Sequence, residues 1–175
     1  MTLQPRLHAC LDRADEIAAA EGANEVGTHH LLAGLLAEGV AAAILEHLGV
    51  TADAIHTSAT RLFGPTTPVS DGRPPPRSAE AVWAVESAAR FLPAGCVEVG
   101  TEHVLFTLVI DPGSRARRVL VDLNINIVAI KTELACYVHG SSRFNPGRCR
   151  RKRRNENSHA FLANSAKDSA QSPST

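Results

Sequence analysis

Val26-Gly27-Thr28-His29-His30-Leu31-Leu32 recurs as Val99-Gly100-Thr101-Glu102-His103-Val104-Leu105, at an offset of 73 residues. A second phrase, Ala43-Ile44-Leu45-Glu46-His47-Leu48-Gly49-Val50, has its partner in Arg118-Val119-Leu120-Val121-Asp122-Leu123-Asn124-Ile125, at an offset of 75. Two phrases in the same order at nearly one offset identify a duplicated structural unit. Around them the apolar residues recur at spacings of three and four, the period of a helix face. The expected fold is therefore all-α: eight helices in two pseudo-symmetric four-helix repeats.

The first repeat is read as residues 5–63. Leu7, Cys10, Leu11, Ala14, Ile17 and Ala18 line one helix, which Gly22 stops in the left-handed conformation. Thr28 is expected to N-cap the second helix, with Leu31, Leu32, Leu35 and Leu36 as its stripe. Ala41–Leu48 forms the third helix, and Thr51 caps a fourth that carries Ile55, Ala59, Leu62 and Phe63. Five prolines and two glycines make residues 64–77 a linker. The second repeat, 78–138, repeats the scheme. Ser78 caps a helix with Val82, Val85, Ala89 and Phe91, and Gly95 matches Gly22. Thr101 caps the next helix, Ser114 opens the third, and Asn126 caps a last one with Ile127, Ile130, Leu134 and Val138. Asn124 falls where Gly49 falls, and Gly and Asn are the residues most at ease in a left-handed helix stop. Each repeat alone is near the lower size limit for stability, so the two are expected to pack together.

The zero net charge conceals an asymmetry. Residues 140–175 hold eight Lys/Arg and two Asp/Glu, and the rest of the chain ten and sixteen. The segment 139–175 is poor in apolar groups and is expected to be a disordered basic tail. Its run Arg148, Arg150, Arg151, Lys152, Arg153 and Arg154 can meet a polyanion, nucleic acid included, through salt-sensitive contacts without sequence preference. No aromatic side chain interleaves the run for base stacking. Cys10, Cys96, Cys136 and Cys149 make no C-x-x-C pair and read as reduced thiols of a cytoplasmic protein, with Cys10 and Cys136 in the core. No apolar run is long enough for a membrane span, and no signal peptide is read at the N-terminus.

Catalytic motifs are missing. The chain has no G-x-x-x-x-G-K-[ST] loop, no G-x-S-x-G elbow and no H-E-x-x-H pair. No enzymatic activity and no cofactor are expected. His29 and His30 are adjacent and should diverge by about 100° on a helix, which argues against a shared metal. His30 and His103 are instead expected to bond a nearby backbone carbonyl. Glu102 offers more. The first-turn N–H groups of a helix favour an anion, and a carboxylate beside them can receive a guanidinium. In the plainer reading Glu102 only complements the helix dipole, worth about 0.3–1 kcal/mol, and sequence physics by itself leans that way.

The paired Val-Gly-Thr-[Glu/His]-His-[Leu/Val]-Leu phrases, each followed by [Ile/Val]-Leu-x-x-Leu-[Gly/Asn]-[Val/Ile], resemble the Clp amino-terminal repeat domain that heads the bacterial Hsp100 unfoldases, in particular the ClpC type. The resemblance covers about residues 5–138 and implies the double four-helix fold. It also implies a non-enzymatic docking platform for substrates, adaptors or the unfoldase, with a receptor site for arginine-phosphorylated proteins in each repeat. Thr101 and Glu102 keep the site pattern; Thr28 and His29 depart from it, because an imidazole cannot accept a guanidinium fork. One intact site is expected, in the second repeat. With the tail in place of ATPase modules, the chain is expected to be a free-standing receptor or decoy, and a monomer. A nucleic-acid-associated protein anchored by its tail and a degenerate copy without ligand stay open as alternatives.

Overall fold

The structure is a computed structural model that describes residues 2–65, 75–92 and 97–138. The tail, most of the 64–77 linker, Gly95, Cys96 and Cys149 lie outside the described residues. The first repeat contains α1 (Pro5–Ala20), α2 (Thr28–Gly34), α3 (Val40–His47) and α4 (Ala52–Phe63). The second contains α5 (Ala79–Ala88), α6 (Thr101–Ile110), α7 (Arg115–Asp122) and α8 (Ile127–Val138). Two short strands, β1 (Thr2–Leu3) and β2 (Glu98–Val99), accompany them. Residues 1–135 form one compact unit. Of the second unit, 136–175, only the helical residues 136–138 are described.

Local chemistry accounts for the helix ends. Pro5 opens α1, at a position where its missing N–H is no loss. Thr51 and Ser78 accept from the N–H groups of Ala54 and Ala81, each at 3.2 Å. Asn126 accepts from Val128 N–H at 2.9 Å. Gly49 at φ 77° and Asn124 at φ 57° are the matched left-handed stops after α3 and α7.

The expected caps at Thr28 and Thr101 are corrected. Gly27 and Gly100 occupy the cap positions, and each threonine is the first helical residue. The threonine hydroxyls cap helices of the opposite repeat instead. Thr28 Oγ1 accepts from the α7 amide of Ala116 at 3.1 Å, and Thr101 Oγ1 accepts from the α3 amide of Ala41 at 3.3 Å. The strands cross in the same way. β1 pairs in parallel with β2, and Gln4 N–H donates to Val99 O at 2.9 Å. Reciprocally, Val26 bridges Arg77, and Ser78 N–H donates to Val26 O at 3.0 Å. The residues leading into each repeat thus pair with the Val-Gly-Thr phrase of the other. An Arg77–Asp15 fork, at 3.2 and 2.8 Å, adds a third tie between the repeats.

The core follows the helical stripes: Leu7, Leu31, Leu32, Ile44 and Leu45 in the first repeat, and Leu105, Leu108, Leu120 and Ile130 in the second, are buried. Two expectations fail here. On α5 the buried face is Ala81, Ala84, Val85 and Ala88, which turns Val82 outward; Phe91, beyond the helix end, is exposed too. Cys136 is only half-buried, whereas Cys10 is in the core and burial raises its thiol pKa.

Replacing Thr28 by valine keeps the shape and removes the acceptor for a buried amide. The expected cost is about 1–2 kcal/mol. Urea denaturation checks it; a midpoint equal to that of the parent chain would disprove the crossed cap.

Candidate functional site

Glu102 and His29 occupy equivalent positions at the start of α6 and α2, and each folds back over its cap glycine. A Cβ placed on Gly100 would lie 2.5 Å from Glu102 Oε2, and one on Gly27 would lie 2.9 Å from His29 Cε1. A side chain at either glycine would displace the one resting on it. Thr28, His29, Thr101 and Glu102 are all buried, and the hydroxyls of the two threonines are committed to the opposite repeat.

The histidines after these residues reach backward. His30 Nδ1 accepts from Gly27 N–H at 2.9 Å and His103 Nδ1 from Gly100 N–H at 3.0 Å. The expected backbone partner was a carbonyl; it is an amide. Accepting at Nδ1 places the ring proton on Nε2. In His30 that proton is donated to Glu21 Oε2 at 3.1 Å, and the other oxygen of Glu21 meets His56 Nδ1 at 2.8 Å. The bond from His30, with help from His56 and against partial burial, lowers the Glu21 pKa to about 2.

The two sites differ in their charged neighbours. Glu102 has a side chain only 8 % exposed, and the nearest base is His103 Nδ1 at 3.5 Å, already an acceptor. Among the described residues no cation neutralises it. Burial lowers the pKa of His103, so its imidazole is neutral near neutral pH, although the Glu102 carboxylate opposes the shift. In the first repeat His29 replaces the carboxylate. Burial, then His30 and Arg115, lower its pKa to about 3 against Glu21, so it too is neutral. His29 Nδ1 is the one buried side-chain polar atom without a hydrogen-bond partner among the described residues.

Beside His29 lies a cavity of about 510 Å³, also lined by Glu21, Glu25, Phe63, Arg115 and Arg118. Arg115 pairs with Glu25 at 3.3 Å, and both arginines lie against the Phe63 ring, at 5.6 and 5.0 Å from its centroid. Sequence reasoning missed this group. Its signal was the aligned third-helix phrase, in which Arg118 stands opposite Ala43.

Contrary to expectation, a carboxylate does join the adjacent histidines. Ligand atoms of Glu21, His29 and His30 lie within 4.8 Å of one another, and the two rings are 3.9 Å apart. His29 leans over Gly27 and does not follow the helix surface, which removes the expected divergence. The trio nevertheless fits a capping relay better than a metal site. With His30 Nδ1 accepting and Nε2 protonated, only His29 and Glu21 offer lone pairs, fewer than the three or four ligands of a zinc site.

Two crossed, equivalent phrases joining four-helix repeats are the decisive architectural feature, and residues 2–92 match the family model of the Clp repeat (R) N-terminal domain. The chain belongs to that family. The chaperone protein ClpB of Oceanobacillus iheyensis is 34 % identical over 125 residues, covering 70 % of this chain and 15 % of its own length. The ATP-dependent Clp protease ATP-binding subunit ClpC of Staphylococcus aureus is 31 % identical over 135 residues, covering 75 % and 16 %. The chain thus spans only 15–16 % of the length of these curated relatives. Among solved structures, the N-terminal domain of ClpD from Arabidopsis thaliana superposes with a TM-score of 0.63 at 24 % identity, covering 78 % of this chain and 96 % of that one. The Hsp104 N-terminal domain from Candida albicans gives 0.63 at 16 % identity, covering 82 % and 95 %. At these identities the likeness is one of fold. The basic run 148–154 lies outside the described residues, as does any role it has in binding.

Proposed function

We propose that this Clp repeat domain is a non-enzymatic protein-binding module of the Clp chaperone and proteolysis system, and that its second-repeat site receives the guanidinium of a phosphorylated arginine. The observation that carries the reading is the buried Glu102 carboxylate, set over Gly100 with no cationic partner among the described residues. A carboxylate so placed gains more from a guanidinium than an exposed one does, because water competes less. The first-turn amides of α6 lie beside it to receive the phosphoryl oxygens. In this reading Thr101 acts through α3, which its hydroxyl holds, and Glu102 touches the ligand.

Calorimetric titration of the whole chain with free phosphoarginine, with arginine and phosphate as controls, tests the proposal. Saturable binding at about one site, weakened at least tenfold in Glu102→Gln, is the expected result. Undiminished affinity in that variant would disprove the assignment. The amide keeps the side-chain volume over Gly100, so a loss reports charge and not collapse of the site.

A further inference from the structure

The pseudo-symmetry allows the two sites to be compared residue by residue. α3 and α7 are both eight residues long, at an offset of 75, so Arg115 and Arg118 correspond to Val40 and Ala43. The crossed caps set α7 beside the His29 site and α3 beside the Glu102 site. The second site therefore has a carboxylate and two apolar counterparts. The first has an imidazole and two guanidinium groups. At these three matched positions the charges are inverted, and Glu21 and Glu25 also line the first cavity.

We infer that the first-repeat cavity binds a phosphoryl group not borne on a guanidinium, a phosphate monoester of the phosphoserine kind, held by Arg115, Arg118 and His29. Three observations support it. His29 is only 7 % exposed, lines the cavity, and has an Nδ1 without a hydrogen-bond partner among the described residues. Arg118 has no carboxylate partner among the described residues, although it stacks on Phe63. Arg115 already holds a carboxylate, that of Glu25, in a half-exposed pair that a dianion can displace at little cost. The other acid of the cavity, Glu21, is occupied by His30 and His56. Two arginines and one ring N–H match the three terminal oxygens of a phosphate monoester. A guanidinium entering with its phosphate, as in phosphoarginine, adds a third cation beside the two arginines, with the displaced Glu25 as the one carboxylate it could take up, which favours the monoester.

The inference stands apart from the second-repeat reading, and the test keeps them separate. The whole chain, labelled with 15N, is titrated with inorganic phosphate, with a phosphoserine peptide and its unphosphorylated form, and with phosphoarginine. His29 ring nitrogens and the Ala116 amide report the first site; the Glu102 amide reports the second. Phosphate and the phosphoserine peptide are expected to shift the His29 and Ala116 signals saturably. Arg118→Ala should weaken that response about tenfold, Glu25→Gln should strengthen it, and Glu102→Gln should leave it unchanged. The inference fails if phosphate and the phosphoserine peptide leave His29 unmoved, or if Arg118→Ala retains full affinity. It also fails if phosphoarginine binds the first site as tightly as the phosphoserine peptide does. Silence at Glu102 with a response at His29 would refute the second-repeat reading alone.

Discussion

Gly34→Ala is expected to lower the free energy of unfolding by about 2–3 kcal/mol and the melting temperature by roughly 5–10 °C. Gly34 is the last residue of α2, and its backbone dihedrals are not left-handed, so its need for glycine is one of space. A Cβ there would lie 2.3 Å from the carbonyl oxygen of Cys10 and 2.9 Å from the Cβ of Ala14. Both neighbours belong to α1 and both are buried. The closest atom is backbone, so no side-chain rotation relieves the clash, and α1 must move away from α2. Alanine would regain about 1 kcal/mol of helix propensity, which is why the net cost falls short of the full steric penalty. Gly49 is the contrast: nothing lies within 4 Å of an added Cβ, and its φ of 77° is the sole constraint. Gly49→Asn, which copies Asn124, should be nearly neutral. Thermal denaturation followed by circular dichroism decides both; equal melting temperatures for Gly34→Ala and the parent would refute the packing argument.

These two glycines also show what a sequence can reveal. Gly49 was legible, because its partner Asn124 shares a conformational preference that few residues have. Gly34 was not, since its role depends on Cys10, 24 residues away, and close approach of two helices leaves no local signature. The same division holds at the site. The repeated phrase located His29 and Glu102 at equivalent helix starts. It did not reveal that the threonines beside them cap helices of the other repeat, because a threonine before a helical run reads as a local cap whether its hydroxyl turns inward or across. Nor did it bring Glu21 to His30, a contact made by the chain turning back between α1 and α2. The α5 stripe failed for a related reason. Its buried positions are mostly alanines, and the larger Val82 drew the reading one step around the helix.

Acidification should destabilise the domain well before its carboxylates protonate, and His29 should be a main cause. Burial holds its folded-state pKa at about 3, against an ordinary value of 6.5. A depressed pKa means that the unfolded chain takes up the proton first, so stability is full above pH 6.5 and drains as the pH falls toward 3. At pH 4 the loss from this one group is about 3 kcal/mol. His103, lowered by burial, contributes with the same sign. Glu21 adds to the loss only as the pH falls through about 4.5, where the unfolded chain takes up its proton, while in the fold it stays ionised and paired with His30 down to about pH 2. The window between pH 6.5 and 4.5 therefore belongs to the histidines. Urea denaturation at pH 7 and pH 4 of the parent chain and of His29→Gln separates the contributions. Glutamine does not titrate, so the variant should lose about 3 kcal/mol less than the parent between the two pH values, whatever its stability at pH 7. Equal losses in the two proteins would mean that His29 takes up its proton as readily in the folded chain as in the unfolded one, and that the site around it is open to water.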